Sequence, residues 1–276
     1  CEAFAMTKTV SIVAGGYLGQ RLADALVYDK YRVKLSYRSK PPKQQVYDQE
    51  WFYCELNHGQ LNYDKDLLGT DCLVICIPPG FKQGLGEFYP THIQALVEQA
   101  HESGVNQVIF TSSVGVYPER GIFSENYQLV PVSNKQQALF QAEQAVLTSR
   151  LKYKQVLRLA GLIGAERHPG RFKVNLNGER MAAPVNMVMV EDVVNAIKQL
   201  IAHPDSPSNL YNLVAPHHPA KSTFYRFAKQ QLGTLDDDLK QVKSPVQGKT
   251  VDGSKIEAET DFVYSHRDLY KALTYI

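Results

Sequence analysis

A glycine-rich turn between a strand-like run and a helix-like run constrains the fold of this 276-residue chain more than any other feature. The run Thr9–Val13 is rich in β-branched residues, which favours a buried strand. Directly after the turn, Leu18, Leu22 and Leu26 recur at helical spacing. A strand, a glycine turn and a helix in immediate succession form the first unit of a sheet that binds a dinucleotide.

The turn has glycines at two of the three positions that phosphate binding requires. In G-x-G-x-x-G, the first glycine makes the tight turn, the second lets the backbone approach the pyrophosphate, and the third lets the helix lie close to the strand. Gly16 and Gly19 occupy the second and third places, whereas Ala14 stands in the first, beside Gly15. The helix N-terminus offers N–H groups and a positive dipole end to phosphate. We predict cofactor contacts at Gly15, Gly16, Tyr17, Leu18 and Gly19. The alternative is a glycine turn in another kind of α/β protein.

Composition and charge exclude several classes of protein. The chain is 44% apolar and 21% charged, as is usual for globular proteins. Its net charge is +2, and it has no long basic block that would suggest a nucleic acid or a membrane surface as partner. No apolar run approaches the roughly 18 residues of a transmembrane helix. No signal-peptide pattern precedes the first strand, so we expect a cytoplasmic protein, with Met6 as the native start. We expect it to be a monomer or a homodimer.

The cysteines and histidines do not predict a metal site. Cys54, Cys72 and Cys76 lie in apolar strand-like runs, where a free cysteine behaves as a small hydrophobic residue. The adjacent His217 and His218 have no third ligand at a metal-binding spacing. This cysteine usage is typical of a reducing compartment.

Strand-like and helix-like segments alternate through the first part of the chain. The apolar run at residues 72–77 stops at Pro78 and Pro79, as expected of a strand buried on both faces. The alternation predicts an α/β fold of the Rossmann type, a doubly wound parallel sheet of about six or seven strands. Loops lengthen after Ala160. We therefore expect a dinucleotide-binding domain at 6–160. Residues 161–276 would form mainly a small α+β substrate-binding lobe, with some segments returning to the sheet. In that lobe, residues 222–232 read as a helix capped by its serine.

The corner after the second predicted strand indicates the cofactor type. Many NAD-specific sites have an acid there, which bonds the ribose 2′-hydroxyl. This chain has Arg38, Ser39 and Lys40 instead. A guanidinium suits a 2′-phosphate, with which it forms charge-assisted hydrogen bonds. We predict NADP(H), with NAD(H) as the alternative cofactor. The competing explanation is that Arg38 is a solvated turn residue.

Four segments, at residues 13–19, 108–117, 157–164 and 184–194, carry a family resemblance in their order and spacing. The chain resembles the extended and atypical short-chain dehydrogenases/reductases, often called the NAD-dependent epimerase/dehydratase family. The resemblance implies that Glu55 and Leu56 lie beside the adenine ring. Further cofactor contacts are predicted at Ile77, Pro78, Pro79, Ser112, Ala160 and Gly161.

The catalytic Tyr-x-x-x-Lys of this family is missing from its expected place. In the family it begins the helix that ends in an Ala-Glu pair, here Ala142 and Glu143, and counting back places Lys135 and Leu139 at the two positions. In the family, the tyrosine exchanges a proton with the substrate oxygen while a hydride moves, and the lysine lowers the tyrosine pKa.

Other residues are candidates for the missing chemistry. Ser113 matches the family's Ser/Thr, which hydrogen-bonds the reacting oxygen, although a serine there can also cap local backbone. Tyr117 is the first candidate proton donor, its alternative being a packed aromatic, and Lys135 is the second. Arg167 and Arg171 either hold an anionic part of the substrate or are simple surface charges.

The sequence therefore predicts an NADP-dependent oxidoreductase, epimerase or dehydratase with an atypical active site. Its substrate would be a small polar molecule, with nucleotide sugars as candidates. The missing tyrosine and lysine leave a second interpretation open, which is a non-catalytic protein that binds or senses NADP(H).

Overall fold

A computed structural model describes residues 7–41, 49–58, 60–81, 84, 86–174, 179–234 and 248–276. The predicted start at Met6 lies outside these residues. The strands are β1 (Thr9–Val13), β2 (Arg32–Tyr37), β3 (Gln49–Asn57), β4 (Gln60–Tyr63), β5 (Cys72–Ile75), β6 (Gln107–Ser113), β7 (Gly121–Phe123), β8 (Tyr153–Leu159), β9 (Gly161–Ile163), β10 (Met187–Met189), β11 (Leu210–Leu213) and β12 (Lys249–Val251). The helices are α1 (Tyr17–Tyr28), α2 (Tyr89–Glu102), α3 (Asn134–Leu147), α4 (Val190–Ala202), α5 (Lys221–Gln231), α6 (Lys255–Glu259) and α7 (Leu269–Leu273). Across these described ranges, no helix has the length and apolar character that a membrane crossing requires.

The central sheet has eight strands among the described residues, in the order β11-β8-β6-β5-β1-β2-β3-β4. β1 pairs in parallel with both β2 and β5, and β5 pairs in parallel with β6. The first strands after β1 in the chain, β2 to β4, lie on one side of it, and the later strands β5, β6, β8 and β11 lie on the other side. The order therefore reverses at β1, the place where such sheets bind ligands at their carboxyl ends. The predicted Rossmann-type α/β fold is confirmed.

The apolar residues that suggested strands form the core of this sheet. Val10, Ile12 and Leu35 are completely buried, as are Val74 and Ile109 on neighbouring strands. Burial of these side chains is the main favourable contribution to folding, at about 25 cal/mol per Å² of apolar surface. This burial explains why the run at residues 72–77 is continuously apolar rather than alternating.

Two details of the predicted elements are wrong. The prediction of about six or seven strands omits β4, a short antiparallel partner of β3. β4 is only four residues long and has no buried residue, so its alternation of Gln60 and Asn62 with Leu61 and Tyr63 is too short to mark a strand. The predicted serine cap of α5 is also wrong, because the helix begins at Lys221 with Ala220 as its N-cap, and Ser222 lies within the first turn.

Two compact units divide the chain, and each takes three segments of it. One unit comprises Cys1–Ser112, Pro131–Leu157 and Ile197–Asn209, and the other comprises Ser113–Val130, Arg158–Ala196 and Leu210–Ile276. The second unit contains the parallel pairs β9–β10 and β7–β12. Its apolar core includes Ile163, Met189, Phe224 and Leu269.

The turn between β1 and α1 contains two glycines in opposite environments. A Cβ at Gly19 would lie 2.1 Å from the carbonyl oxygen of Ala14, whereas a Cβ at Gly16 would meet no atom within 4 Å. Gly19 therefore lets α1 approach the backbone of the turn, and Gly16 leaves the surface of the turn open.

We expect Gly19→Ala to lower the free energy of unfolding by about 1–3 kcal/mol, because the added methyl group must displace backbone. Gly16→Ala is the matched control. It should lower that free energy by about 1 kcal/mol or less, the cost of replacing a glycine N-cap with alanine. Urea denaturation of the two variants measures the difference, and equal losses would contradict the close approach of α1.

Candidate functional site

A cavity of about 650 Å³ lies in the first unit, beside the turn between β1 and α1. Its wall comes from that turn, from the end of β2, from β3, from the segment after β5 and from α2. The lining residues are Val13, Ala14, Gly15, Gly16, Gln20, Ser36, Tyr37, Arg38, Lys40, Trp51, Cys54, Leu56, Ile77, Pro78, Pro79, Gly80, Tyr89 and His92. This volume is in the range of sites that hold small molecules and cofactors.

The end of β2 holds the glycine turn in place. The Ala14 N–H donates to Ser36 Oγ at 2.8 Å, and the Gly15 N–H donates to the Ser36 carbonyl at 3.2 Å. Ala14 has a φ of 82°, in the left-handed region that alanine rarely adopts. The sequence marks Ala14 as a departure from the glycine pattern, but nothing in a strand sequence marks Ser36 as the partner of a distant turn.

Many of the predicted cofactor contacts line this one cavity. They are Gly15, Gly16, Arg38, Lys40, Leu56, Ile77, Pro78 and Pro79. Tyr17, Leu18, Gly19, Ser39 and Glu55 adjoin these residues in the chain but are outside the lining set. Glu55 instead accepts a hydrogen bond from the Tyr53 hydroxyl at 2.8 Å. Ser112 is buried and donates to Glu143 at 2.6 Å.

The charge of the cavity wall is positive. Arg38 and Lys40 are both exposed to solvent, and the described residues of the lining include no Asp or Glu. An anionic ligand therefore meets two cations and no fixed carboxylate on the described wall. An exposed guanidinium and an exposed ammonium can reorient toward a phosphate at modest cost in side-chain entropy.

Three side chains that line the cavity were not predicted as site residues, because no motif contains them. Burial lowers the pKa of His92, and nearby His58 lowers it further, which favours the neutral imidazole. Tyr89 donates its hydroxyl to the Ile77 carbonyl at 3.0 Å, and burial raises its pKa. The third is Trp51, whose indole adjoins Gly15. These groups add apolar and neutral surface beside the cations. The thiol of Cys54 is no nucleophile here, because burial raises its pKa to about 12.

In the second unit, Tyr117 lies in a buried polar cluster. Its ring is completely buried and stacks on Phe123. Its hydroxyl accepts from Arg158 Nη1 at 2.7 Å and lies 2.9 Å from the Asn212 Oδ1 acceptor. Asn212 in turn donates its backbone N–H to Glu125 at 2.7 Å. Burial raises the pKa of Tyr117, and the Arg158 guanidinium opposes that rise. The role of Tyr117 as a proton donor stays a prediction.

The other candidate catalytic residues have ordinary surroundings. Ser113 is partly exposed, and its Oγ accepts from the Gly115 N–H at 3.0 Å. Lys135 is exposed in the first turn of α3, where Ser133 and Gln136 form a capping box. Leu139, at the family's lysine position, is completely buried. Neither Ser113 nor Lys135 is tested by these contacts, and both stay predictions.

The predicted residues after β8 lie in the second unit. Gly161 begins β9, where a Cβ would lie 2.5 Å from the Met187 sulfur, and Ala160 just before it is buried. Arg167 and Arg171 are exposed and donate to the nearby carbonyls of Leu162 and Ala165, each at 3.3 Å.

Comparison with known proteins supports the fold and the cofactor class. A family model described as NAD(P)H-binding matches residues 14–204. Protein YeeZ of Escherichia coli K12 is 33% identical over 270 residues, which cover 95% of this chain and 97% of that protein. The enzyme WbmG of Bordetella bronchiseptica, solved with NAD, has a TM-score of 0.75 at 13% identity, with 99% and 94% of the two chains covered. The UDP-glucose 4-epimerase of Thermotoga maritima, solved with UDP-glucose, has a TM-score of 0.73 at 16% identity, with 97% and 98% covered. The predicted resemblance is confirmed, and the two solved structures establish likeness of fold.

We expect Tyr117→Phe to lower the free energy of unfolding by about 1–3 kcal/mol, because it removes an acceptor from a buried guanidinium and a donor from Asn212. Tyr127→Phe is the matched control, since that ring contacts the same Phe123 but is 41% exposed. Urea denaturation measures both variants. A Tyr117→Phe protein as stable as the control would show that the cluster does not depend on the hydroxyl.

Proposed function

We infer that this chain, which belongs to the NAD(P)H-binding protein family, binds NADP(H) in the cavity beside Gly16. The observation that carries the choice of NADP(H) is the pair of exposed cations, Arg38 and Lys40, on a described wall that has no carboxylate. A 2′-phosphate matches these cations, whereas the 2′-hydroxyl of NAD(H) is usually held by an acid.

The turn suits the pyrophosphate of the same cofactor. Gly16 leaves open space where a side chain would stand, and α1 begins directly after it. The helix N-terminus attracts anions through its N–H groups and its dipole. Leu56, Ile77 and Trp51 supply apolar surface for the rest of the nucleotide. The predicted contacts at Tyr17, Leu18, Gly19, Ser39, Glu55, Ser112, Ala160 and Gly161 belong to the same proposal.

We propose that the bound cofactor serves an oxidoreductase, epimerase or dehydratase reaction on a small polar substrate, with nucleotide sugars as candidates. NADP(H), when bound, supplies or accepts a hydride. The chain must then exchange a proton with the substrate oxygen. Ser113 is the partly exposed hydroxyl proposed to orient that oxygen, and Tyr117 and Lys135 are the proposed proton donors. Arg167 and Arg171 are proposed to hold an anionic part of the substrate.

A second candidate function is binding or sensing of NADP(H) without turnover. Specific observations favour it. Leu139 is buried where the family has its lysine, and Lys135 is exposed where the family has its tyrosine. The Tyr117 hydroxyl already has hydrogen-bond partners within a closed cluster. Both candidates share the cofactor site, so they differ only in the chemistry that follows binding.

The cofactor preference is tested by titrating NADPH and NADH against the wild type and Arg38→Ala. We expect the wild type to prefer NADPH, and Arg38→Ala to weaken NADPH binding about tenfold while NADH binding changes little, because a charge-assisted contact to phosphate is lost. Arg32→Ala is the matched control, since Arg32 is an exposed arginine on β2 whose partner is Glu50. Equal wild-type affinity for the two cofactors would overturn the preference.

The choice between the two functions is tested by a substrate panel of ketones, aldehydes and nucleotide sugars. We expect consumption or formation of NADPH, read by its absorbance, with at least one member of the panel. Ser113→Ala should lower kcat while leaving NADPH affinity unchanged, because its hydroxyl is proposed to contact only the reacting oxygen. A protein that binds NADPH but turns over no member of the panel favours the sensor function.

A further inference from the structure

We propose that Ser36 is a positioning residue for the cofactor: it holds Ala14 in a left-handed conformation and so sets the turn that faces the pyrophosphate. The inference deepens the NADP(H) site and rests on that proposed function. Ser36 is in none of the motifs that identify the site. It reaches the turn through tertiary structure alone, because 22 residues of chain separate it from Ala14.

Ala14 needs such support because its backbone conformation is unfavourable. Its φ of 82° brings Cβ close to neighbouring backbone atoms, a clash that glycine avoids and that other residues rarely accept. A glycine at the first motif position would make the turn without help. With alanine there, a contact from outside the turn must favour this conformation over the extended ones.

Ser36 provides this contact through both its side chain and its backbone. Its Oγ accepts the Ala14 N–H at 2.8 Å, and its carbonyl accepts the Gly15 N–H at 3.2 Å. Ser36 is only 4% exposed, so water competes little for these two bonds. It is also fixed in β2, where it pairs with Phe52 of β3. Two successive N–H groups of the turn are thus held by one rigid residue.

The consequence for the cofactor is directional. Because the N–H groups of Ala14 and Gly15 are directed at Ser36, the phosphate is left to approach Gly16 and the first turn of α1. The carbonyl of Ala14 then points at the position that Gly19 keeps clear. Loss of the Ser36 hydroxyl would let Ala14 relax to a negative φ. Cofactor binding would then have to restore the turn.

A double-mutant cycle tests this role, with Ser36→Ala and Ala14→Gly made singly and together in the full chain. We expect Ser36→Ala to weaken NADPH binding about fivefold to tenfold, the value of one hydrogen bond. In the Ala14→Gly background, the same change should cost about threefold or less, because glycine adopts the turn unaided. Ser36→Ala in the wild-type background should change the affinity for adenosine 2′-monophosphate, which has no pyrophosphate, by less than about twofold. Ser36→Thr keeps the acceptor oxygen and should restore NADPH binding.

The outcomes separate this role from its alternatives. Equal losses of NADPH affinity in the wild-type and Ala14→Gly backgrounds would mean that Ser36 acts by direct contact or through general stability. That result would overturn the positioning role but not the proposed cofactor site. A wild type that binds neither NADPH nor NADH would overturn the cofactor site together with this role. Should Ser36→Ala fold only when Ala14→Gly is present, the coupling is supported by folding itself. If neither Ser36→Ala nor the double variant folds, Ser36→Cys takes the place of Ser36→Ala in the cycle, because a thiol is only a weak acceptor. A smaller loss of NADPH affinity in the Ala14→Gly background would again support the positioning role, and equal losses would overturn it.

Discussion

The close approach of α1 to the backbone of the turn after β1 is the contact on which the candidate site depends. A side-chain carbon at position 19 would lie 2.1 Å from the Ala14 carbonyl oxygen, so only glycine allows the helix to start there. The helix N-terminus consequently opens at the edge of the cavity, with Gly16 leaving its surface clear. The dipole of α1 and the first N–H groups are useful to a phosphate only from that position.

The same turn shows how one substitution can be balanced by a distant contact. Alanine in a left-handed conformation costs free energy that glycine does not, and Ser36 of β2 contributes two hydrogen bonds that offset it. The turn and the end of β2 are therefore one structural element. Arg38 and Lys40 follow that end directly, so the segment that shapes the pyrophosphate side also presents the cations proposed to meet the 2′-phosphate.

In the second unit, Tyr117 is paired with an arginine, Arg158, rather than with a lysine. A guanidinium beside a phenol stabilises the phenolate, whereas burial favours the neutral phenol, and at Tyr117 burial has the larger effect. A cation at 2.7 Å is therefore not sufficient evidence for an active acid. The buried guanidinium and the hydrogen bond to Asn212 are equally suited to holding the segment before β7 against Arg158 of β8 and Asn212 of β11. With Tyr117 in this packing role, Lys135 is the remaining proposed proton donor.

The sequence by itself determined the fold class, because glycine spacing, β-branched runs and helical periodicity are local properties that the chain carries without its neighbours. It also predicted that Gly16 and Arg38 belong to one site, since the ends of successive parallel strands meet at one edge of a sheet, and both residues line the same cavity. It could not find β4, whose alternating pattern is only four residues long, nor His92 and Ser36, whose surroundings arise from segments distant in sequence. It left two roles open for Tyr117, one as a proton donor and one as a packed aromatic. Only the tertiary structure decided that this ring is buried against Phe123 and bonded to Arg158, because burial depends on every element packed around a residue.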